Sequence, residues 1–537
     1  MRTLRSTALL CLCACLLSPL AAQTSHVHFR IQAPAGITAP ISGRLLVFLK
    51  PGTGAKEVDS EEFAPTGTWV AAREVTSLAP GAFVEIDPDA EDLAYPTSFA
   101  TIPPGDYQVQ VVLDVDHTYN YSGRTHENWI TAVLALPHWN PANAVTSTLQ
   151  LTEHPTLPPA ATAALTKAMA AAVPGVAQLE KFQSPALTKF WGRPTFIQAW
   201  VILPPGYFEN PGEKYPTVFW THGFGGELRG ALINGLRYRE RMVAGTMPPM
   251  IYVMLDESIP QGTHEFADSV NNGPWGTALT TEFIPALEKT YRMDATANSR
   301  LLTGHSSGGW ATLQLQINYP TLFGGTWSTS PDPADFHNFN NIDLYRPNAN
   351  AYNRADGTPT PLMRDHAKLI ATFQQFSQLE RVLGPYGGQN ASFDWVFSPK
   401  SPSGAPMQFF DRTTGVIDPV VAQYWHDHYD LAHIVESTWP QRGPLLKGRI
   451  HLIVGTADTF YLDGAAHLFE ARLNKLGAEP HFTYISDRTH FDLYLIDKDP
   501  RALSDKIAIE MYAVARPKSN WKPRSSPSPA ASAQPGK

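Results

Sequence analysis

The sequence predicts an α/β fold: a mostly parallel, doubly wound sheet with helices on both faces, preceded by a small N-terminal antiparallel β-sandwich domain. Three observations predict it. Residues 24–152 alternate apolar and polar side chains in short runs broken by Pro, Gly, Asp and Thr, the pattern of half-buried antiparallel strands. From about residue 176 the texture becomes strand, loop, helix, strand, which implies parallel strands joined by crossover helices. The 537 residues, 43% apolar and 17% charged, exceed one compact domain and suffice for a sizeable core.

The chain opens with "MRTLRSTALLCLCACLLSPLAAQTSH". Arg2 and Arg5, an apolar run over residues 8–17 and the small residues Ala21 and Ala22 read as a secretory signal over residues 1–22, cleaved after Ala22 although Leu20 is an imperfect −3 residue. Lipidation at Cys15 is the weaker alternative. Cys11, Cys13 and Cys15 all lie inside this segment, so a mature chain has no thiolate nucleophile, thiolate metal site or disulfide. Loss of Arg2 and Arg5 leaves 39 basic against 49 acidic residues, a charge of −10. With a pI near 6.1 the chain lacks the basic footprint of a nucleic-acid binder. It reads as an exported, periplasmic or secreted protein with no membrane-spanning segment.

The runs "SHVHFRIQA", "GRLLVFLK", "DYQVQVVLDV" and "TSTLQLTE" are strands of the N-terminal domain. Residues 153–175, rich in Pro and Ala, read as a partly helical linker. In the following domain, 176–516, "FIQAWVILP", "YPTVFWTHG" and "IYVMLDE" are strands. "GTALTTEFIPALEKTYR" is a helix with Leu279, Phe283, Ile284 and Leu287 on one face. "SRLLTGHSS" is strand and turn, and "GGWATLQLQINYP" is a helix stopped by Pro320. "RIHLIVGTAD", helical "AAHLFEARLNKLG" and strand "PHFTYIS" complete the alternation. Residues 333–448, rich in Asn, Pro and aromatics, are an insertion above the C-terminal strand ends, where such sheets bind ligands. The tail at 517–537 is of low complexity and expected to be disordered.

The chemistry centres on "GHSSGG", residues 304–309. Strand before and helix after place Ser306 on a sharp turn, the context of a nucleophile elbow. Gly304 and Gly308 remove bulk two residues either side. Ser307 lacks a glycine at its own −2 position, so it is the poorer nucleophile; its backbone N–H instead faces the developing oxyanion. A serine needs a base, and His490 in "DRTHFDLY" follows the last strand. The base needs a carboxylate. Asp458, just after the strand "RIHLIVG", is favoured; Asp463, Asp332 and Asp335 are rivals. Ser306, Asp458, His490 is the chain order of α/β-hydrolases. In "THGFGGE" the N–H of Phe224, or failing that of Gly225, supplies the second oxyanion donor.

At these motifs the chain resembles the putative esterase family, whose relatives include enterobactin (enterochelin) esterases, esterase D and feruloyl esterases. "THGFGGE", "NNGPWGTALTTEFIPALEKTYR", "GHSSGGWATLQLQINYPTLFGGTWSTSPDP" and "VGTADTFYLDGA" carry the resemblance, over about residues 180–515. It implies serine ester hydrolysis with no metal or organic cofactor: Ser306 as nucleophile, His490 as base, Asp458 as acid. Trp275, in the Pro274-Trp275 pair, either lines the substrate pocket with Gly225 or packs. The long insertion leaves the substrate open among siderophore, feruloyl and other small esters.

Other groupings weigh less. His426, Asp430 and His433 have one-face helical spacing, a pattern open to a metal but better read as packing. "DVDHTYN" lacks the Gly and Glu of a calcium loop. Trp395, Phe397, Trp425, Tyr429 and Trp439 either stack on substrate or form the core of the insertion. The leading expectation is a serine carboxylesterase acting on a small-molecule ester through an acyl-enzyme. The alternatives are an acyltransferase of the same fold and an inactive carbohydrate- or siderophore-binding protein.

Overall fold

The computed structural model describes residues 27–61, 63–87, 89, 93–156 and 175–524. The signal expected at 1–22, most of the linker expected at 153–175 and residues 525–537 of the expected tail lie outside the described residues. No helix among the described residues is long and apolar enough to cross a membrane.

Among its described residues the N-terminal domain has nine strands: β1 (Phe29–Gln32), β2 (Ile41–Pro51), β3 (Trp69–Leu78), β4 (Phe83–Ile86), β5 (Leu93–Tyr95), β6 (Gly105–Asp114), β7 (Trp129–Thr131), β8 (Leu134–Trp139) and β9 (Ser147–Glu153). They form one continuous sheet, order β4-β1-β9-β7-β6-β2-β3-β5, with β8 beside β6. Two features differ from the sequence expectation. The strands are joined in a single sheet, and β1 pairs with β9 in parallel. Alternation of side chains reports which residues face a core but not the direction of the neighbouring strand. Leu45, Val47 and Leu49 of β2 face a core shared with Val109, Val111 and Leu113 of β6 and with Phe29 and Ile31 of β1. Leu46 and Phe48 point the other way and are also buried.

The second domain is built on an eight-stranded mixed sheet. Its strands are β10 (Ala177–Gln183), β11 (Phe196–Ile202), β12 (Thr217–Thr221), β13 (Ile251–Leu255), β14 (Arg300–His305), β15 (Gly325–Thr329), β16 (Ile450–Gly455) and β17 (His481–Ile485). The order is β10-β11-β13-β12-β14-β15-β16-β17. β10–β11 and β11–β13 are antiparallel; the six strands from β13 to β17 run parallel. β12, β13 and β15 are buried along their whole length, as strands covered on both faces must be.

The longer helices among the described residues are α1 (Pro185–Trp191), α2 (Leu228–Ala244), α3 (Ile284–Thr290), α4 (Ser307–Asn318), α5 (Phe373–Leu383), α6 (Gln389–Phe397), α7 (Pro419–His428), α8 (Leu431–Leu446), α9 (Leu462–Lys475) and α10 (Ala502–Ala515). Leu232 and Leu236 of α2 and Ile507 and Met511 of α10 pack with Val218 and Trp220 of β12. Phe219 packs on the opposite face with Leu187 of α1 and Ile284 and Leu287 of α3. The expected apolar stripe of Leu279, Phe283, Ile284 and Leu287 is buried, but its helix is interrupted. Residues Leu279–Phe283 form a π turn just before Pro285, whose missing N–H and bulky ring break the regular α ladder.

The insertion carries a hairpin (Pro361–Asp365 with Lys368–Thr372) and α5 to α8. Phe397, Trp425 and Tyr429 are part of its own aromatic core with Phe336, Phe339 and Phe393, and Trp439 packs against that core. Leu379, Val382 and Leu383 of α5 meet Leu46 and Phe48 of β2, so the outward face of the β domain is docked on the insertion. The tail departs from its expected start. Residues 517–524 return along the body, with Arg524 N–H bonded to Gly245 O at 2.9 Å and Trp521 against Tyr512. An apolar ring in a polar, proline-rich stretch gives that segment a surface to pack on.

Candidate active site

β14 delivers the chain to Ser306 and α4 carries it away. Ser306 has φ +60° and ψ −127°, a strained conformation for a residue with a side chain. Its N–H bonds Thr329 O at 3.0 Å, and its carbonyl accepts from Trp310 N (3.0 Å) and Asp332 N (3.2 Å). The flanking glycines are required by space: a Cβ on Gly304 would lie 2.2 Å from Gly308 O, and one on Gly308 2.2 Å from His222 O. The turn leaves the Ser306 side chain lining a cavity of about 740 Å³.

His490 lines the same cavity. Its loop is pinned by Asp492 Oδ1, which accepts from Thr489 N–H (2.7 Å) and Thr489 Oγ1 (2.8 Å). His490 Nδ1 lies 2.9 Å from Asp458 Oδ2, with both side chains buried. The other Asp458 oxygen accepts from Phe460 N–H at 2.9 Å and Leu462 N–H at 3.3 Å. Burial pushes the Asp458 carboxyl upward, but His490 and these donors outweigh it and hold the group below the ordinary carboxylate range. The buried carboxylate therefore stays ionised opposite the imidazole. A hydrogen bond between Ser306 Oγ and His490 is not among those formed by the described residues; the two share the cavity wall.

The rival carboxylates are engaged elsewhere. Asp332 accepts from Ser307 Oγ at 2.7 Å, Asp335 pairs with Arg472 Nε at 2.9 Å, and Asp463 accepts from Arg364 Nη2 at 2.9 Å. Asp332 is still close enough to feel His490, and burial pushes its carboxyl up to about 6.

Ser307 is the first residue of α4, so its N–H has no intrahelical acceptor and sits at the positive end of the helix dipole. Phe224 and Gly225 line the cavity in a tight turn closed by Gly226 N–H to Gly223 O at 3.0 Å, with Gly225 at φ +77°. Gly223 presses against the elbow: a Cβ there would stand 2.8 Å from both His305 O and Ser306 Cβ. Beneath this turn His222 Nε2 lies 3.0 Å from Asp256 Oδ1. Burial opposes a charge on His222, yet its hydrogen bond to Asp256 outweighs burial and raises the ring above the ordinary imidazole range.

Trp275 is not a wall of this cavity. It is buried in the core, stacked on His264 at 3.7 Å, with Nε1 donating to Asn272 O at 2.9 Å. A tryptophan beside a glycine-rich turn meets both demands by packing, since its single polar atom needs one backbone acceptor. The expected trio His426, Asp430 and His433 does not share a helix face. The helix breaks after His428, and Asp430 caps the next one through His433 N–H at 3.1 Å, because an aspartate at that place competes for the cap. The three-residue group among the described residues that could hold a metal is instead His426, Asp427 and His433.

Sequence reasoning missed several residues. His305, inside the elbow motif, lies 4.4 Å from the His490 ring and is pushed down to about 3 by desolvation and by His490, so it stays neutral. Tyr119 and Tyr121 bring the N-terminal domain into the cavity wall, with Asp59 beside them. Nothing in "DVDHTYNY" signals that. Phe376, Phe393, Phe460 and Phe491 make the remaining wall strongly aromatic. Glu257 and Glu265 are fully buried near Asp332, and their carboxylate oxygens lack hydrogen-bond partners among the described residues.

A family model described as "Putative esterase" matches residues 194–475, just over half the chain. Esterase Rv1288 of Mycobacterium tuberculosis (strain ATCC 25618 / H37Rv) is 29% identical over 136 residues, 24% of this chain and 28% of that protein. The match thus spans less than a third of that relative. Among solved structures, a ferulic acid esterase aligns over 63% of this chain and 97% of its own at 15% identity, TM-score 0.40. An S-formylglutathione hydrolase from Agrobacterium tumefaciens aligns over 62% and 94% at 16% identity, TM-score 0.35.

Proposed function

The chain belongs to the putative esterase family, and we propose that it is a serine carboxylic ester hydrolase working through an acyl-enzyme. The observation that carries the proposal is the 2.9 Å contact of His490 Nδ1 with buried Asp458, in the cavity onto which the strained Ser306 turn opens. With Nδ1–H donated to Asp458, the ring keeps Nε2 as its acceptor.

In this reading Ser306 Oγ attacks the ester carbonyl and His490 Nε2 takes its proton. The oxyanion of the tetrahedral intermediate is held by the N–H groups of Ser307 and Phe224. Collapse breaks the bond to the leaving alcohol, which receives the proton from His490. Water then repeats the attack on the acyl-enzyme and releases the acid. Asp458 keeps the imidazole in the right tautomer and offsets its transient positive charge.

The substrate favoured is a small uncharged ester with an apolar or aromatic part. The wall is rich in Phe and Tyr, and among the described residues lining it there is no Lys or Arg. The carboxylates Asp59 and Glu380 also face it. An anionic ester would find no lysine or arginine on that wall to pair with, which disfavours a catecholate siderophore. Export through the 1–22 signal belongs to the same proposal.

The test is labelling with a fluorophosphonate together with turnover of p-nitrophenyl acetate. The wild-type chain takes up one label and releases nitrophenol with a burst. Ser306→Ala does neither. Equal labelling of the Ser306→Ala variant would refute the assignment.

A further inference from the structure

We propose that Tyr121, from the N-terminal β domain, is a positioning residue for the turn at residues 223–226 that presents the Phe224 N–H to the oxyanion, an assignment that rests on the ester-hydrolase reading above.

Two contacts support it. The Tyr121 hydroxyl donates to Gly226 O at 2.7 Å, at the last residue of the turn. The Tyr121 ring meets the Phe224 ring edge-on, with centroids 5.0 Å apart. One side chain therefore touches the turn at both its second and its fourth residue. Burial pushes the Tyr121 phenol well up, so the hydroxyl remains a donor at every working pH.

Tyr121 is itself held firmly. It lies on a short helical turn, Tyr119–Ser122, whose first N–H bonds Asp114 Oδ2 at 3.1 Å. The neighbouring Asn120 donates to Glu380 O (3.0 Å) in the last turn of α5 and to Gly384 O (2.7 Å) at its C-cap. Arg44 adds Nε and Nη2 bonds to Val382 O at 2.9 and 2.7 Å. The β domain is thus bolted to α5, and through Tyr121 to the oxyanion turn. From the other side His222 Nδ1 bonds Gly223 O at 2.8 Å. The turn is gripped at both carbonyl ends, by the catalytic body at Gly223 and by the β domain at Gly226.

Such a grip matters because an oxyanion donor acts only when already aimed, and removing one costs about two to three decades in kcat. Letting one drift costs a part of that. Tyr121→Phe deletes the hydroxyl and keeps the ring. We expect kcat on p-nitrophenyl acetate to fall about tenfold with KM unchanged, because the ground-state ester does not need the donor. Affinity for a tetrahedral boronic acid should fall by the same factor, and Tm should stay within about 2 °C of wild type. Replacing Tyr121 by p-aminophenylalanine keeps a para donor and restores most of kcat.

A Tyr121→Phe variant with wild-type kcat and boronate affinity overturns the proposal. So does one that loses kcat, KM and thermal stability together, or that does not fold, since the hydroxyl would then be a structural bond. Full turnover by Ser306→Ala would instead overturn the hydrolase reading itself, independently of Tyr121.

Discussion

Replacing Asp458 by asparagine keeps the shape of the side chain and removes its charge. Unit charges 2.9 Å apart attract by about 6 kcal/mol at an effective dielectric of about 20. That attraction exists only while His490 carries the serine proton, so its loss falls on the transition state. At about 1.4 kcal/mol per decade, the cost is about four decades in kcat. The same change in a serine protease has an effect of that size, through the wrong histidine tautomer. The assay is kcat/KM on p-nitrophenyl acetate, with active sites counted by fluorophosphonate. Asp332→Asn is the internal control: Asp332 accepts from Ser307 Oγ at 2.7 Å, and the amide keeps an acceptor there. It should cost less than about tenfold. An Asp458→Asn variant within tenfold of wild type, or an Asp332→Asn variant equally impaired, would refute the reasoning.

Glu257 makes a prediction about stability. Burial with unpartnered oxygens pushes its carboxyl up to about 8. Unfolded, it titrates near about 4.3, so between those values the folded chain holds a proton that the unfolded chain has released. Stability then falls as pH rises, by about 1.4 kcal/mol per unit. Urea midpoints taken from about pH 5 to about pH 8 should show a shallower decline for Glu257→Gln than for wild type; equal slopes would place the proton elsewhere. Trp275→Phe should lose the Nε1 bond to Asn272 O and about 1 kcal/mol of stability. KM for small aryl esters should be unchanged, and a several-fold rise in KM would return Trp275 to the substrate wall.

The elements of the second domain were legible because each has a strong local signature. A fully apolar strand such as "IYVML" reads as buried on both faces, and Ser306 is marked by glycines that the backbone contacts at Gly304 and Gly308 make obligatory. Asp458 and His490 could be nominated from their places after β16 and β17, since strand ends converge at one edge of the sheet. What stayed hidden depends on long-range docking. β10 pairs antiparallel with β11 at the edge, a choice no local pattern records. The parallel β1–β9 pair is equally silent. The spacing of His426, Asp430 and His433 suggested one helix, but the capping preference of Asp430 won over periodicity. Tyr121 lies 105 positions from Gly226, and only the packing of the β domain on α5 brings them together.

That packing has a wider consequence. Asp59, Tyr119 and Tyr121 wall a cavity that Ser306 and His490 also line. A fragment beginning at residue 175 would retain Ser306, Asp458 and His490 yet leave one flank open to water. On the reading proposed above, the leading domain thus supplies part of the wall that meets the substrate and, through Tyr121, a hold on the turn at residues 223–226, so grafting a different leading domain onto the same body would alter both.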